Sequence, residues 1–134
     1  MITLTDNMDA VNAILQHPDI WKNIAPPGVE PFDTPFRPDV LYFLVNDGDG
    51  VITFGTFRDG VKIHPNILPD KRGRIAYQAV EESIQTVFAE GVDSVYAEIP
   101  HALRNVTLFA RQLGFKLIES GKAEDLFIRR NLDS

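Results

Sequence analysis

PDKRGRIAYQAVEESIQTVFAEG, residues 69–91, joins a strand-like stretch to a long amphipathic helix through a loop that carries three cations. After Gly73, the residues Ala76, Ala79, Val80, Ser83, Ile84, Val87 and Phe88 recur at three- and four-residue spacing, which places them on one buried helical face. Gly91 supplies the left-handed stop. Lys71, Arg72 and Arg74 crowd the helix N-terminus, where the macrodipole is already positive and a carboxylate is ordinarily favoured. An incoming phosphate reverses that sign, because the exposed backbone N–H groups, the dipole and the side chains all attract it. The plainer alternative is a solvated basic loop with no ligand.

The chain of 134 residues is read as one domain, long enough to bury a core without staples. Its 44% hydrophobic and 24% charged residues are ordinary globular composition, which excludes a disordered or fibrous class. The absence of cysteine excludes disulfides, thiolate zinc sites and a cysteine nucleophile. A net charge of −6 argues against broad binding to nucleic acid or anionic membranes, so the three loop cations are a local exception. No membrane-length apolar run occurs and the first ten residues lack a signal pattern, so a soluble, cytoplasmic protein is expected.

On the N-terminal side, Ile2 to Leu4 reads as a short strand and Met8 to Gln16 as a helix capped by Asp6 or Asn7. Asp19 to Ile24 adds a helical turn carrying Trp21. Ala25 to Asp39 holds five of the nine prolines and cannot be a regular helix or central strand. A loop of this length often lines a site, which makes Trp21, Phe32, Phe36 and Arg37 candidates for a substrate wall, although the aromatics could equally close the core. From Val40, LYFLVND, VITFGTF and VKIHPNIL are separated by Asp-Gly turns and read as an antiparallel meander. Pro65 and Pro69 make the second half of its last strand unpaired or splayed. After the central helix come a strand over Ser94 to Ile99 and a helix over Ala102 to Leu113 with Leu103, Val106, Ala110 and Leu113 inward. FKLIES and DLFIRRN form a final hairpin. The order describes an α/β (α+β) mixed sheet of six or seven strands flanked by three or four helices. Its strand–central helix–strand unit is a right-handed parallel crossover.

With Pro69-Asp70-Lys71-Arg72-Gly73-Arg74 between a fourth strand and a long helix, and Leu113-Gly114-Phe115 ending a later helix, nearly the whole chain resembles the GNAT superfamily of acyl-CoA N-acyltransferases. It also resembles, more narrowly, the small GNAT-like proteins of tailed phages. The resemblance implies acetyl-CoA clasped between the fourth and fifth strands, which diverge into a V. The pyrophosphate then lies on Lys71, Arg72, Gly73, Arg74, Ile75 and Ala76, and the pantetheine on the backbone of Ile67 and Leu68. Two departures stand out. The family loop reads Gln or Arg, any, any, Gly, any, Gly or Ala, whereas a match begun at Arg72 finds Ile75 and Tyr77 at the small positions. The family's frequent tyrosine, five residues before the Gly-Phe phenylalanine, is Ala110.

Acyl transfer to an amine needs a base for the ammonium proton and a donor for the developing oxyanion. His64 on the splayed strand and Glu98 on its neighbour are the base candidates, since the crossover brings them side by side. A polar strand position without chemistry is the alternative for each. The three histidines lack metal-ligand spacing, so no metal is expected. The resemblance implies a small-molecule or protein amine as acceptor, and sheet-edge pairing allows a homodimer. The altered loop and Ala110 also fit a rival reading, a non-catalytic GNAT-like binding or assembly module.

Overall fold

The structure, a computed structural model, describes residues 1–132. Seven strands form one sheet in the order β1-β2-β3-β4-β5-β7-β6. They are β1 (Ile2–Leu4), β2 (Val40–Val45), β3 (Gly50–Phe57), β4 (Gly60–Ile67), β5 (Ser94–Pro100), β6 (Lys116–Ser120) and β7 (Glu124–Arg130). The helices are α1 (Met8–Leu15), α2 (Pro18–Ile24), α3 (Arg74–Ala89) and α4 (Arg104–Gln112), with a 3₁₀ turn over Pro69–Lys71. Asn7 caps α1 by accepting from the Ala10 N–H. Pro18 occupies the first turn of α2, where its missing N–H costs nothing, so this segment is a full helix and not a single turn.

The expected meander is present as β2, β3 and β4, and the hairpin as β6 and β7, all antiparallel. Among the described residues the one parallel pair is β4 with β5, and only Val61↔Val95 and Lys62↔Tyr96 are in register. Yet β4 pairs with β3 along its whole length, and β5 pairs with β7 along its whole length. The sheet is therefore continuous at one end of this junction and split at the other. At the closed end Gly60 permits a close approach, because a Cβ there would sit 2.0 Å from the Ser94 carbonyl oxygen. The Asp59 carboxylate accepts from the Tyr96 hydroxyl beside it, and Arg130 donates to the buried Ser94 hydroxyl at 3.2 Å.

Each sheet face has its own core. On one, all seven positions expected for the α3 face are buried against Phe43, Ile52, Phe54, Ile63, Val95 and Phe127. Each large apolar side chain sequestered here contributes about 2 kcal/mol. On the other, Val11, Ile14, Leu15 and Ile20 from α1 and α2 cover Tyr42 and Val51. That cover stops short of β4 and β5. The α4 expectation needs correction: Ala110 and Leu113 are buried, but Leu103 and Val106 on the same stripe are 48% and 41% exposed. Both stand at the N-terminal end of the helix, Leu103 as its N-cap, away from the buried end at Ala110 and Leu113. Among the described residues no helix is long and apolar enough to cross a membrane.

Arg129 ties α3 to the end of α4. It donates to both Glu81 carboxylate oxygens at 2.7 and 2.9 Å and to the Leu113 carbonyl at 2.9 Å. Arg129→Met is expected to lower the unfolding free energy in urea by about 1–2 kcal/mol, the pair being partly exposed. The bond from Arg129 holds Glu81 below its ordinary value of 4.5. Its contribution is complete above that value and is lost as the pH falls through the lowered folded pKa. A stability–pH series on Arg129→Met should show a shallower acid limb than the parent.

Candidate functional site: the split between β4 and β5

The phase of the ladders decides which backbone groups the split leaves open. The Leu68 N–H bonds the Asp49 carbonyl at 2.9 Å, in register with the β3–β4 pairs, so even-numbered β4 residues point their backbone groups at β3. Odd-numbered residues point theirs at β5. Likewise the Asn131 N–H to Asp93 carbonyl bond sets the odd β5 residues toward β7 and the even ones toward β4. The last parallel pair engages the Ile63 N–H. Beyond it, the Ile63 and Pro65 carbonyls, the Ile67 N–H and the Glu98 backbone have no strand opposite. Pro65 falls on the open phase and so removes no bond to β3, which reconciles a proline with a fully paired β4. The Ile67 carbonyl accepts from Arg72 Nε at 3.1 Å. Leu68 is engaged at both ends, by Asp49 and by the Lys71 N–H.

The chain leaves β4 directly into the cationic loop. Gly73 is the α3 N-cap at φ +88° and ψ −125°, a conformation open to glycine and strained for any other residue. It has no side chain to cap the helix and no acidic residue stands in the first turn, so the N–H groups of Arg74, Ile75 and Ala76 lack intrahelical or side-chain acceptors. Lys71, Arg72 and Arg74 are therefore gathered at an open positive helix end, with Arg72 partly committed to Ile67. Ala76 is buried beneath it and Ile75 is partly exposed. Tyr77 points at α4, meeting Phe109 edge to face at 6.1 Å, and its hydroxyl lies 3.4 Å from the Gln112 carbonyl.

On the opposite face of the sheet, Lys62, His64 and Glu98 come together. Alternation places Lys62 and His64 on the same side of β4, and continuing the register sets Glu98 across from His64. The Lys62 ammonium reaches across the start of the split to Glu98 Oε1 at 3.5 Å and lies 4.8 Å from the Phe57 ring centroid. The His64 imidazole is reached by solvent, but protein atoms crowd enough of it that desolvation lowers its pKa below 6.5. Lys62 lowers it further and Glu98 partly opposes them. A neutral imidazole at neutral pH is the result. Lys62 is not among the residues singled out from the sequence, although strand alternation alone puts it beside His64.

The proline-rich segment is a strap pinned across α1 and α2. Asn12, buried on α1, bonds the Thr34 N–H, hydroxyl and carbonyl. Buried Trp21 donates to the Val29 carbonyl at 2.8 Å and meets Phe32 edge on at 5.1 Å. Phe36 lies against Tyr42, whose hydroxyl accepts the Arg37 N–H at 3.2 Å. Tyr42, Thr53 and His64 are in register across β2, β3 and β4, so the end of the strap shares a row with the histidine. Trp21 and Phe32 anchor the strap, while Phe36 packs on Tyr42 of that row and the Arg37 guanidinium pairs with Asp39 at 3.2 Å. Asn12 carries no sequence signal for this task, since a lone asparagine in a helix reads as surface.

No family model matches the chain, and no curated protein matches it by sequence. By structure it is similar to the Campylobacter jejuni N-acetyltransferase PseH in complex with acetyl coenzyme A. That similarity has 16% identity over 97% of this chain and 99% of that one, with a TM-score of 0.67. A GNAT-family structure from Chromobacterium violaceum matches at 14% identity, 99% and 85% coverage and a TM-score of 0.71. A variant of the Vibrio cholerae spermidine N-acetyltransferase SpeG gives 11%, 98% and 93%, and 0.75. The fold is the GNAT fold.

The close approach at Gly60 belongs to the closed end of the β4–β5 junction, and Gly60→Ala drives a methyl into a backbone carbonyl that cannot yield. A loss of about 1–3 kcal/mol in chemical unfolding is expected. Gly121→Ala, whose Cβ would meet the Glu124 carbonyl at 2.8 Å in the β6–β7 turn, serves as the comparison. Only the Gly60 change should also perturb the amide resonances of residues 61–67.

Proposed function

We propose that the protein is an N-acyltransferase that moves an acetyl group from acetyl-CoA to an amine. The observation that carries this reading is the parting of β4 from β5 in line with an uncapped, cation-lined helix end. One long ligand with a phosphate at one end and an amide-bearing arm matches both features. Acetyl-CoA supplies an activated acyl group as a thioester.

The residues present fit it. Lys71, Arg72, Gly73, Arg74, Ile75 and Ala76 hold the pyrophosphate through N–H groups and guanidinium charge. The Ile67 N–H and the carbonyls of Ile63 and Pro65 meet the amides of the pantetheine, and Leu68 borders it. The uncovered Leu103 and Val106 stripe of α4 lies along the apolar part of the arm. The amine approaches from the strap face, past Phe36 and Arg37, with Trp21 and Phe32 holding that wall. His64 or Glu98 takes one proton from the acceptor's ammonium, leaving the neutral amine that is the nucleophile. An acidic protein of net charge −6 suits a cationic acceptor and disfavours nucleic acid. The exposed β6 edge supports pairing with a second copy.

One observation favours a binding role without transfer. Ala110 is buried and has no hydroxyl to protonate a departing thiolate. Calorimetry separates cofactor binding from its absence: acetyl-CoA and desulfo-CoA should bind while ATP does not. Arg74→Ala should weaken acetyl-CoA at least tenfold, about 1.4 kcal/mol. It is cleaner than Arg72→Ala, which also releases the Ile67 carbonyl. Absence of binding at millimolar concentration contradicts the reading. Thiol release on adding a panel of amines then distinguishes a transferase from a binding module.

A further inference from the structure

Two groups were available as the base, and the geometry divides their roles. Glu98 continues the β5 face two residues beyond Tyr96, and His64 continues the β4 face two residues beyond Lys62. In a fully paired sheet the two would be direct neighbours. Here the strands part, and the Lys62 ammonium crosses from β4 to the Glu98 carboxylate in the space between them. No hydrogen bond joins His64 to Glu98 among the described residues. The ammonium is not a loose surface charge: its side chain is only 23% exposed and is seated over the Phe57 ring. Phe57, at the end of β3, in turn packs edge on against Tyr96 of β5 at 5.1 Å, so the seat is held against β5.

We propose that Lys62 is a positioning residue that ties the Glu98 carboxylate to β4 and leaves His64 as the proton acceptor for the incoming amine. The proposal deepens the N-acyltransferase reading and rests on it for the meaning of the site. Its physical content does not depend on acetyl-CoA being present. The charged groups facing His64 are Lys62 on its own strand and Glu98 on β5. On β3 its register partner is the uncharged Thr53. Removing Lys62 takes away a positive charge and frees the carboxylate to approach the ring. Both changes favour the imidazolium. The imidazole then keeps its proton to higher pH than in the parent and is a poorer acceptor below that point.

The test is the titration of the His64 Cε1–H resonance in the intact protein without ligand. Lys62→Met should raise the midpoint, Glu98→Gln should lower it, and Lys62→Arg should keep it near that of the parent. Opposite signs in the first two variants separate charge from packing, because loosened packing reduces desolvation and raises the midpoint in both. An unmoved or lowered midpoint in Lys62→Met overturns the proposal. So does a rise in Glu98→Gln. If Lys62→Met does not fold, the Glu98→Gln and Lys62→Arg titrations decide the matter. Failure of acetyl-CoA to bind in calorimetry defeats the acyltransferase reading while leaving this titration intact. Given transfer activity, the acid limb of kcat/KM in Lys62→Met moves to higher pH with the histidine.

Discussion

Two parallel strands forced together at one end and kept apart at the other govern this molecule. Gly60 lets β4 approach the Ser94 carbonyl more closely than any side chain permits, and Asp59, Tyr96, Ser94 and Arg130 hold that end shut. Each strand is then committed to a different neighbour, β4 to β3 and β5 to β7, so the twist of two half-sheets draws them apart. Backbone groups that a continuous sheet would consume are left facing a gap. Such an edge is open to water, and a ligand able to pair with it could take the place of a missing strand.

The two faces of the sheet divide the proposed work. The α3–α4 face carries the cationic helix end and the uncovered α4 stripe, which suits the long anionic substrate. The α1–α2 face stops short of β4 and leaves Lys62, His64 and Glu98 accessible from the strap side. Both faces meet only at the split. In the proposed reading, an acyl donor and an amine would meet at this opening from its two sides. Against an overall charge of −6, three cations in four residues are a local reversal, set at a helix N-terminus without a side-chain cap.

Much of this was legible in residue order. The α3 periodicity, the Asp-Gly turns and the awkward Pro65 gave the buried face, the meander and the splay, because each is a local constraint. The overexposed Leu103 and Val106 were not, since helical spacing reports a stripe and says nothing of whether a strand lies beneath it. Nor was the Gly60 contact, which depends on a residue 34 positions away (94 − 60). The Lys62–Glu98 pair was half legible: alternation sets Lys62 beside His64, but the reach across the split depends on how far the strands part. Asn12 as the anchor of the strap is a tertiary fact with no local signature.

The central claim is that the open edge of β4 and β5 receives acetyl-CoA. Amide hydrogen exchange of an isotopically labelled sample, with and without the cofactor, reads that edge directly. The account predicts that the Ile67 and Glu98 N–H groups, without ladder partners in the free protein, become protected on addition, together with those of residues 74–76. Unchanged exchange at all of these positions at a saturating concentration, or protection confined to another surface, would contradict it.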